Sequence, residues 1–376
     1  MIDQIKYHST GQFRNAIKNV RHAQTYTGQD KNGNPMYNPD LAKPVKYTGT
    51  VKLHGTNASV VFHENGKLSF HSKEQTLAVY DELGELHRFT DNAGFAFHFS
   101  NPKSDAFNQL CSVLSKACAI SRDLYGEIVY PIKLSGEWAG QGIQKGVAIS
   151  ELPKAFYIFG MKIGDTVISV DNNVNVESGW LPISWLNELM PKRDEDLKKV
   201  NECGIYSITQ FPSYEITIDP NDPIDSQQRL IDITNEVEAC CLVAKQLGVT
   251  GIGEGIVWVP NDASLIRNTG TWFKVKGDKH SSSKVKKLAS VDVEKLNTIR
   301  EFIEYAVTDN RIEQAIVECG MTTESFDRTK TGDVVRWVMN DVIKEETDTM
   351  QENGLEPNQI GSHVSKVVNR FLSKLV

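Results

Sequence analysis

VKYTGTVKLHGTNASVVFHENGKLSFHSKEQ, residues 45–75, is written almost throughout in strand-forming sequence. Two β-branched runs flank Glu64-Asn65-Gly66, whose Asn-Gly pair suits the turn of a hairpin. Lys52 therefore falls at a strand end, followed by Leu53-His54-Gly55-Thr56-Asn57. A lysine with a glycine three residues on is weak by itself, since about one such match is expected by chance in a chain of this size. An ordered series downstream changes its weight: Ser72-Lys73, Gly136-Glu137-Trp138, Phe156-Tyr157-Ile158-Phe159-Gly160, Glu254-Gly255-Ile256-Val257 and Lys274-Val275-Lys276.

Outward from that stretch, residues 104–125 carry apolar side chains at helical spacing and lead into the strand EIVYPIKLSGEW, with AFYIFGMKI and TVISV as further strands. Residues 226–247 again show helical period and stop at Gly248, a natural helix terminator. GIVWVP (255–260) and TWFKVK (271–276) read as two short strands joined by a polar turn. The Gly-, Ser- and Lys-rich GDKHSSSKVKK then marks a change of character. Beyond it, Val293 to Val307, Ile312 to Cys319, Gly332 to Ile343 and Ile360 to Leu375 all have apolar spacing near 3.6.

A length of 376 residues predicts one large domain and a smaller one, and 40% hydrophobic with 24% charged residues is globular composition. The start lacks an apolar signal segment and no stretch approaches the roughly 18 apolar residues of a membrane span, so a cytoplasmic chain with no membrane partner is expected. The six cysteines show no C-x-x-C spacing, which favours free thiols over a disulfide frame or zinc site. A G-x-x-x-x-G-K-[ST] loop is absent, so nucleotide is not held in P-loop fashion. Net charge is −7, but unevenly spread: residues 1–50 hold seven Lys/Arg against three Asp, 274–287 six Lys against one Asp, and 215–238 seven acids against one Arg. A basic run is usually a solvated face unless its neighbours place it beside phosphate.

In type, order and approximate spacing the series resembles the nucleotidyltransferase motifs of the covalent ligase and capping-enzyme superfamily, and KLHGTN with GEWAGQGIQKGV is most similar to the RNA ligase 2 family. The resemblance implies ATP as substrate, with Mg²⁺ or Mn²⁺, and RNA carrying 3′-hydroxyl and 5′-phosphate ends as partner. It makes Lys52 the nucleophile that carries AMP, sets Lys274 and Lys276 on the α-phosphate, and puts His54 and Asn57 at positions the family needs for adenylation. Glu254 would bind the metal or its water shell, Glu137 the ribose hydroxyls, and Phe159 the adenine ring, with Leu53 and Lys73 also on the nucleotide. The chemistry explains the company. A lysine amine must be deprotonated to attack, its free pKa is near 10.4, and neighbouring cations lower it while neutralising the phosphates. Two positions depart from the pattern: Lys73 stands where arginine is usual, losing the bidentate fork, and Val51 where related ligases often have glutamate. Read without the series, Lys274 and Lys276 are the wet face of a strand, Glu137 an edge carboxylate, and the aromatics of FYIFG core.

An α+β fold is expected: the resemblance implies an ATP-grasp-like adenylyltransferase domain of antiparallel sheets with flanking helices over residues 1–280, while the helical period of the tail predicts a small all-helical domain over 281–376, which with the lysine-rich 279–287 linker is expected to dock RNA. A monomer that seals RNA ends in repair, through lysyl-AMP and RNA-adenylate, is the function so implied. DNA ligases and capping enzymes usually place an OB-fold after the Lys-x-Lys motif, a β-rich module where this chain reads helical. An RNA ligase 1-type tRNA-repair enzyme, a DNA ligase with the same chemistry and an inactive RNA-binding protein stay open as alternatives.

Overall fold

The computed structural model describes residues 7–8, 10–73, 75–81, 84–164, 167–170, 174–177, 179–190, 203–277, 299–352 and 354–375. The chain forms two compact units, residues 1–277 and 278–376.

The first unit opens with helix α1 (Phe13–Thr25) and a detached two-stranded hairpin, β1 (Tyr26–Gln29) and β2 (Pro35–Tyr37). The decisive stretch then gives β3 (Val45–Lys52), β4 (Thr56–Phe62) and β5 (Leu68–Ser72). Gly66, at φ +75°, makes the expected turn between β4 and β5. After β6 (Thr76–Tyr80), β7 (Leu86–Arg88) and α2 (Phe95–Phe99) comes α3 (Asp105–Tyr125). Ser104 caps its start by accepting from the Phe107 amide, and Gly126 closes it in the left-handed region. The remaining elements are β8 (Ile132–Ala139), β9 (Ala155–Ile163), the β10 (Val167–Val170) and β11 (Val174–Glu177) hairpin, α4 (Trp185–Leu189), β12 (Ile205–Ser207) and β13 (Ser213–Ile218). They are followed by α5 (Ile224–Ala239), α6 (Leu242–Gln246), β14 (Gly255–Pro260) and β15 (Phe273–Lys276).

These strands assemble a seven-stranded sheet in the order β12-β9-β8-β4-β5-β6-β7 and a four-stranded sheet in the order β13-β3-β14-β15. Most neighbours are antiparallel, β4-β5, β5-β6 and β6-β7 through short connections. The expectation of purely antiparallel sheets fails at one edge, where β12 runs parallel to β9. The two are more than forty residues apart with α4 between them, and such a long crossover can return a strand in the same direction. A second correction concerns residues 226–247, which form two helices rather than one. Cys240 is extended and the Cys241 amide donates to Gly251 O at 2.8 Å, so a tertiary bond replaces the helical one.

In the second unit the described residues are helical: α7 (Ile299–Ala306), α8 (Asp309–Glu318), α9 (Thr331–Glu352) and α10 (Pro357–Leu372), with short 3₁₀ turns. Phe302, Ile312, Ile316, Val338, Val364 and Val368 meet in its core. Fully buried Arg311 is matched there by Asp341 at 2.9 Å and Glu346 at 3.4 Å. The expected boundary near residue 280, the lysine-rich linker after it and the predicted helix start at Val293 lie outside the described residues. Among the described residues no helix is long and apolar enough to cross a membrane.

Candidate active site

Strand register brings the lysines together. β14 lies between β3 and β15, so that Gly255 faces Lys52 on one side and Lys276 on the other, while Val257 faces Thr50 and Lys274. Directly opposed residues share a face of a sheet. Lys52, Lys274 and Lys276 therefore project from one face, with Val51, Ile256 and Val275 buried on the other. Gly255 is the hinge of this arrangement: it sits at φ +152°, and a Cβ there would run into the backbone of Val275 and Lys276.

The seven-stranded sheet supplies the opposite wall. Asn57, Glu137 and Tyr157 are aligned across β4, β8 and β9, and Phe159 stands two residues further at a register shift. Gly55 passes so close to Trp138 and Ala139 that no side chain fits, and its amide donates to Glu137 Oε1 at 3.0 Å. Between the walls lies a cleft of about 250 Å³. Lys52, Lys274 and Lys276 line it from the small sheet, Asn57, Glu137 and Phe159 from the large one, and Leu53 and Lys73 also border it.

Glu254, only 2% exposed, holds the charged end of the cleft. Its Oε2 accepts from Lys52 Nζ at 2.6 Å and lies 3.2 Å from His54 Nδ1, while Oε1 is 3.2 Å from Lys276 Nζ. Burial works to raise the Glu254 carboxyl, but Lys52, Lys276 and His54 together overcome it and hold the group well below the usual carboxylate range. Glu137 goes the other way. Burial pushes it up to about 7, with Glu254 adding to the rise and Lys52, the Gly55 amide and His54 opposing it. Two carboxyls in one cleft are thus driven apart, one a fixed anion and the other able to exchange a proton near neutrality.

A lysine at a strand end, salt-bridged to a buried carboxylate in a cleft with two further lysines, joins a nucleophilic side chain to a cationic pocket able to hold an anion. The RNA ligase family profile matches residues 45–276, more than half of the chain. This chain belongs to the RNA ligase family. No curated protein matches its sequence. Among solved structures it is similar to Naegleria gruberi RNA ligase with PPi, at 14% identity and TM-score 0.36, and to an arginine-to-alanine variant of that ligase with ATP and Mn, at 15% identity and TM-score 0.39. Both alignments cover 73% of this chain, which spans 57% of the length of those proteins.

For a divalent cation, the donor set of this RNA ligase family member decides the mode of binding. Among the described residues no three His, Cys, Asp or Glu side chains converge, so there is no all-protein cage. Both Glu254 oxygens are engaged by cationic groups, which disfavours direct ligation there. A single carboxylate does fit an ion that keeps most of its waters.

Several cleft residues had no signal in the sequence. Tyr7 and His8 come from the amino-terminal segment and pack into the cleft, Tyr7 edge-on to Phe159 at 5.3 Å and His8 against Trp272 at 4.7 Å. Burial, with Lys133, Lys73 and Lys162 nearby, brings His8 down to about 3, so its ring is neutral. Ile183 and Trp272 also line the cleft. Thr50 could have been found, because it alternates with Lys52 along β3.

Proposed function

We propose that this protein is an ATP-dependent RNA ligase that joins 3′-hydroxyl and 5′-phosphate RNA ends through lysyl-AMP on Lys52 and an RNA-adenylate. The observation that carries the reading is Lys52 at the end of β3, 2.6 Å from buried Glu254, in a cleft shared with Lys274 and Lys276. As an ammonium paired with a carboxylate, Lys52 is stored but not yet nucleophilic. Triphosphate entering the cleft meets Lys274 and Lys276, which draw negative charge from the α-phosphate as the bond to pyrophosphate breaks. A divalent cation, Mg²⁺ or Mn²⁺, supplies further charge neutralisation when bound with the phosphates, and Glu254 is the carboxylate that would hold its water shell. Lys276 shares Glu254 with Lys52 and, as a neighbouring cation, disfavours the Lys52 ammonium; once that ammonium has given its proton to solvent, the free amine attacks phosphorus and pyrophosphate leaves.

His54 fixes the orientation of Glu254 from the side away from Lys276. In this reading Glu137 accepts from the ribose hydroxyls and Phe159 stacks on the base, with Leu53, Asn57 and Lys73 completing the nucleotide contacts. AMP then passes to the RNA 5′-phosphate, and the 3′-hydroxyl displaces it. The helical unit is assigned to RNA docking: α10 carries Lys366 and Arg370 exposed at four-residue spacing with no acid between Pro357 and Leu372, and exposed Lys374 lies just past its end. Repair of broken RNA follows from the end chemistry.

Incubating wild type and Lys52→Ala with α-labelled ATP or GTP and Mg²⁺, then separating on a denaturing gel, tests the assignment. Label from ATP on wild type alone is expected, label from GTP would indicate a capping activity, and no label at all would leave an RNA-binding protein without catalysis.

A further inference from the structure

The excess of positive charge in residues 1–50 is left unused by the cleft. Much of it surrounds the β1–β2 hairpin, which joins neither main sheet. Tyr26 and Tyr37 face each other across that hairpin. His22, from the last turn of α1, completes a ring cluster with them: it stacks on Tyr26 at 5.7 Å and 10°, and meets Tyr37 edge-on at 5.4 Å. This cluster is not core. Tyr37 is 46% exposed, Met36 44% and Leu41 42%, whereas the buried side of α1 is formed by Phe13, Ala16, Ile17 and Val20. Exposed aromatic and apolar groups gathered within one turn and one hairpin are unusual on a free surface.

Cations outnumber anions around these rings. Lys18 lies one turn before His22 on the same face of α1, Arg21 adjoins it, Lys31 sits in the hairpin turn, and Lys43 follows β2 with its amide bound to Gln24 at 2.9 Å. Between Lys18 and Lys43 the carboxylates are Asp30 and Asp40. Asp30 keeps its charge but is turned into its own loop, accepting from the Asn32 and Asn34 amides and the Asn34 side chain, so that four cations stand against two carboxylates here. In a chain of net charge −7, an exposed ring cluster edged with lysine and arginine is complementary to a polyanion whose subunits are themselves flat rings.

We propose that the β1–β2 hairpin and the outer face of α1 form a docking platform for single-stranded RNA. Bases stack on Tyr37 and His22, and Lys18, Arg21, Lys31 and Lys43 meet the backbone phosphates. The proposal rests on RNA being the substrate. Because β3 runs from Val45 beside the hairpin to Lys52, a path of about 23 Å at strand rise, the platform holds nucleotides away from the joined ends and captures RNA without touching the AMP-transfer groups.

The test is fluorescence anisotropy of an unstructured, labelled single-stranded RNA titrated with the full chain. Tyr37→Ala should weaken binding about five- to tenfold, the loss of one stacked base, and Tyr37→Phe should bind as wild type. Lys31→Glu combined with Lys43→Glu should weaken binding and make the plot of log affinity against log salt shallower by about 1.4, for two phosphate contacts on a single strand. Should Tyr37→Ala disturb the hairpin, this exposed charge pair still decides the matter. Wild-type affinity in Tyr37→Ala with an unchanged salt slope in the charge variant overturns the platform, leaving the surface to a protein partner. Wild-type protein that binds RNA through these residues yet takes no label from ATP would sink the ligase reading while supporting the platform.

Discussion

Replacing Glu254 by glutamine keeps the shape of the side chain and removes its charge, which isolates the role of the anion between Lys52 and Lys276. At 3.2 Å and an effective dielectric near 20, a unit charge pair such as Glu254–Lys276 is worth roughly 5 kcal/mol before solvation. Burying the carboxylate takes back much of that. Without the anion, the ammonium groups of Lys52 and Lys276 remain close together with no counter-charge. Losing one partner of a fully buried pair costs about 3–5 kcal/mol; here the lysine side chains keep 22% and 23% exposure, so about 2–4 kcal/mol is expected. For a unit of this size that is a fall of about 3–7 °C in the melting midpoint. Five of the six tryptophans lie in residues 1–277, so tryptophan fluorescence of the full chain reports on the right unit. The sign with pH is set by the depressed Glu254 carboxyl. Its stabilisation is present above the ordinary value of 4.5 and disappears as pH falls below it, so wild type and Glu254→Gln should converge in acid. Equal midpoints at pH 7, or a gap that persists in acid, would refute the ion-pair account.

Gly255→Ala should destabilise the unit by about 3 kcal/mol, from the positive φ and the clash with the β15 backbone, and should cut AMP uptake more than tenfold by prising Lys276 away from Lys52. Labelling from ATP and a melting curve read both effects; a variant that labels normally rules out the packing argument. For Glu137, whose folded value is raised to about 7, the stabilising contribution is complete below about 4.5 and lost as pH rises through about 7. Wild type should therefore shed roughly 3 kcal/mol over that window relative to Glu137→Gln. Parallel pH–stability curves for the two proteins would show that the carboxyl is not shifted.

Local physics accounts for what could be read from residues alone. Alternation and the Asn-Gly turn locate β3, β4 and β5, and the same alternation puts Thr50 with Lys52 and Lys274 with Lys276. Ser104 and Gly126 announce the ends of α3 because capping depends on a few neighbouring atoms. Periodicity could not reveal the break at Cys240, since no proline or glycine lies there and the cause is a hydrogen bond to Gly251, ten residues beyond Cys241. Nor could it reveal the parallel β12, which depends on the route of a long crossover.

The order of lysines, glycines and acids along the chain was thus determined by sequence, and with it membership in the RNA ligase family and the residues worth examining. Tertiary structure decided their relations: that Glu254 bridges Lys52, Lys276 and His54, that Glu137 and Glu254 have opposite shifts, and that Tyr7 and His8 enter the cleft. Strand type and helix caps depend on neighbours a few residues away. Ion pairing depends on groups as far apart as Lys52 and Glu254, some two hundred residues, which only the pairing of β3 with β14 in the folded sheet brings to 2.6 Å.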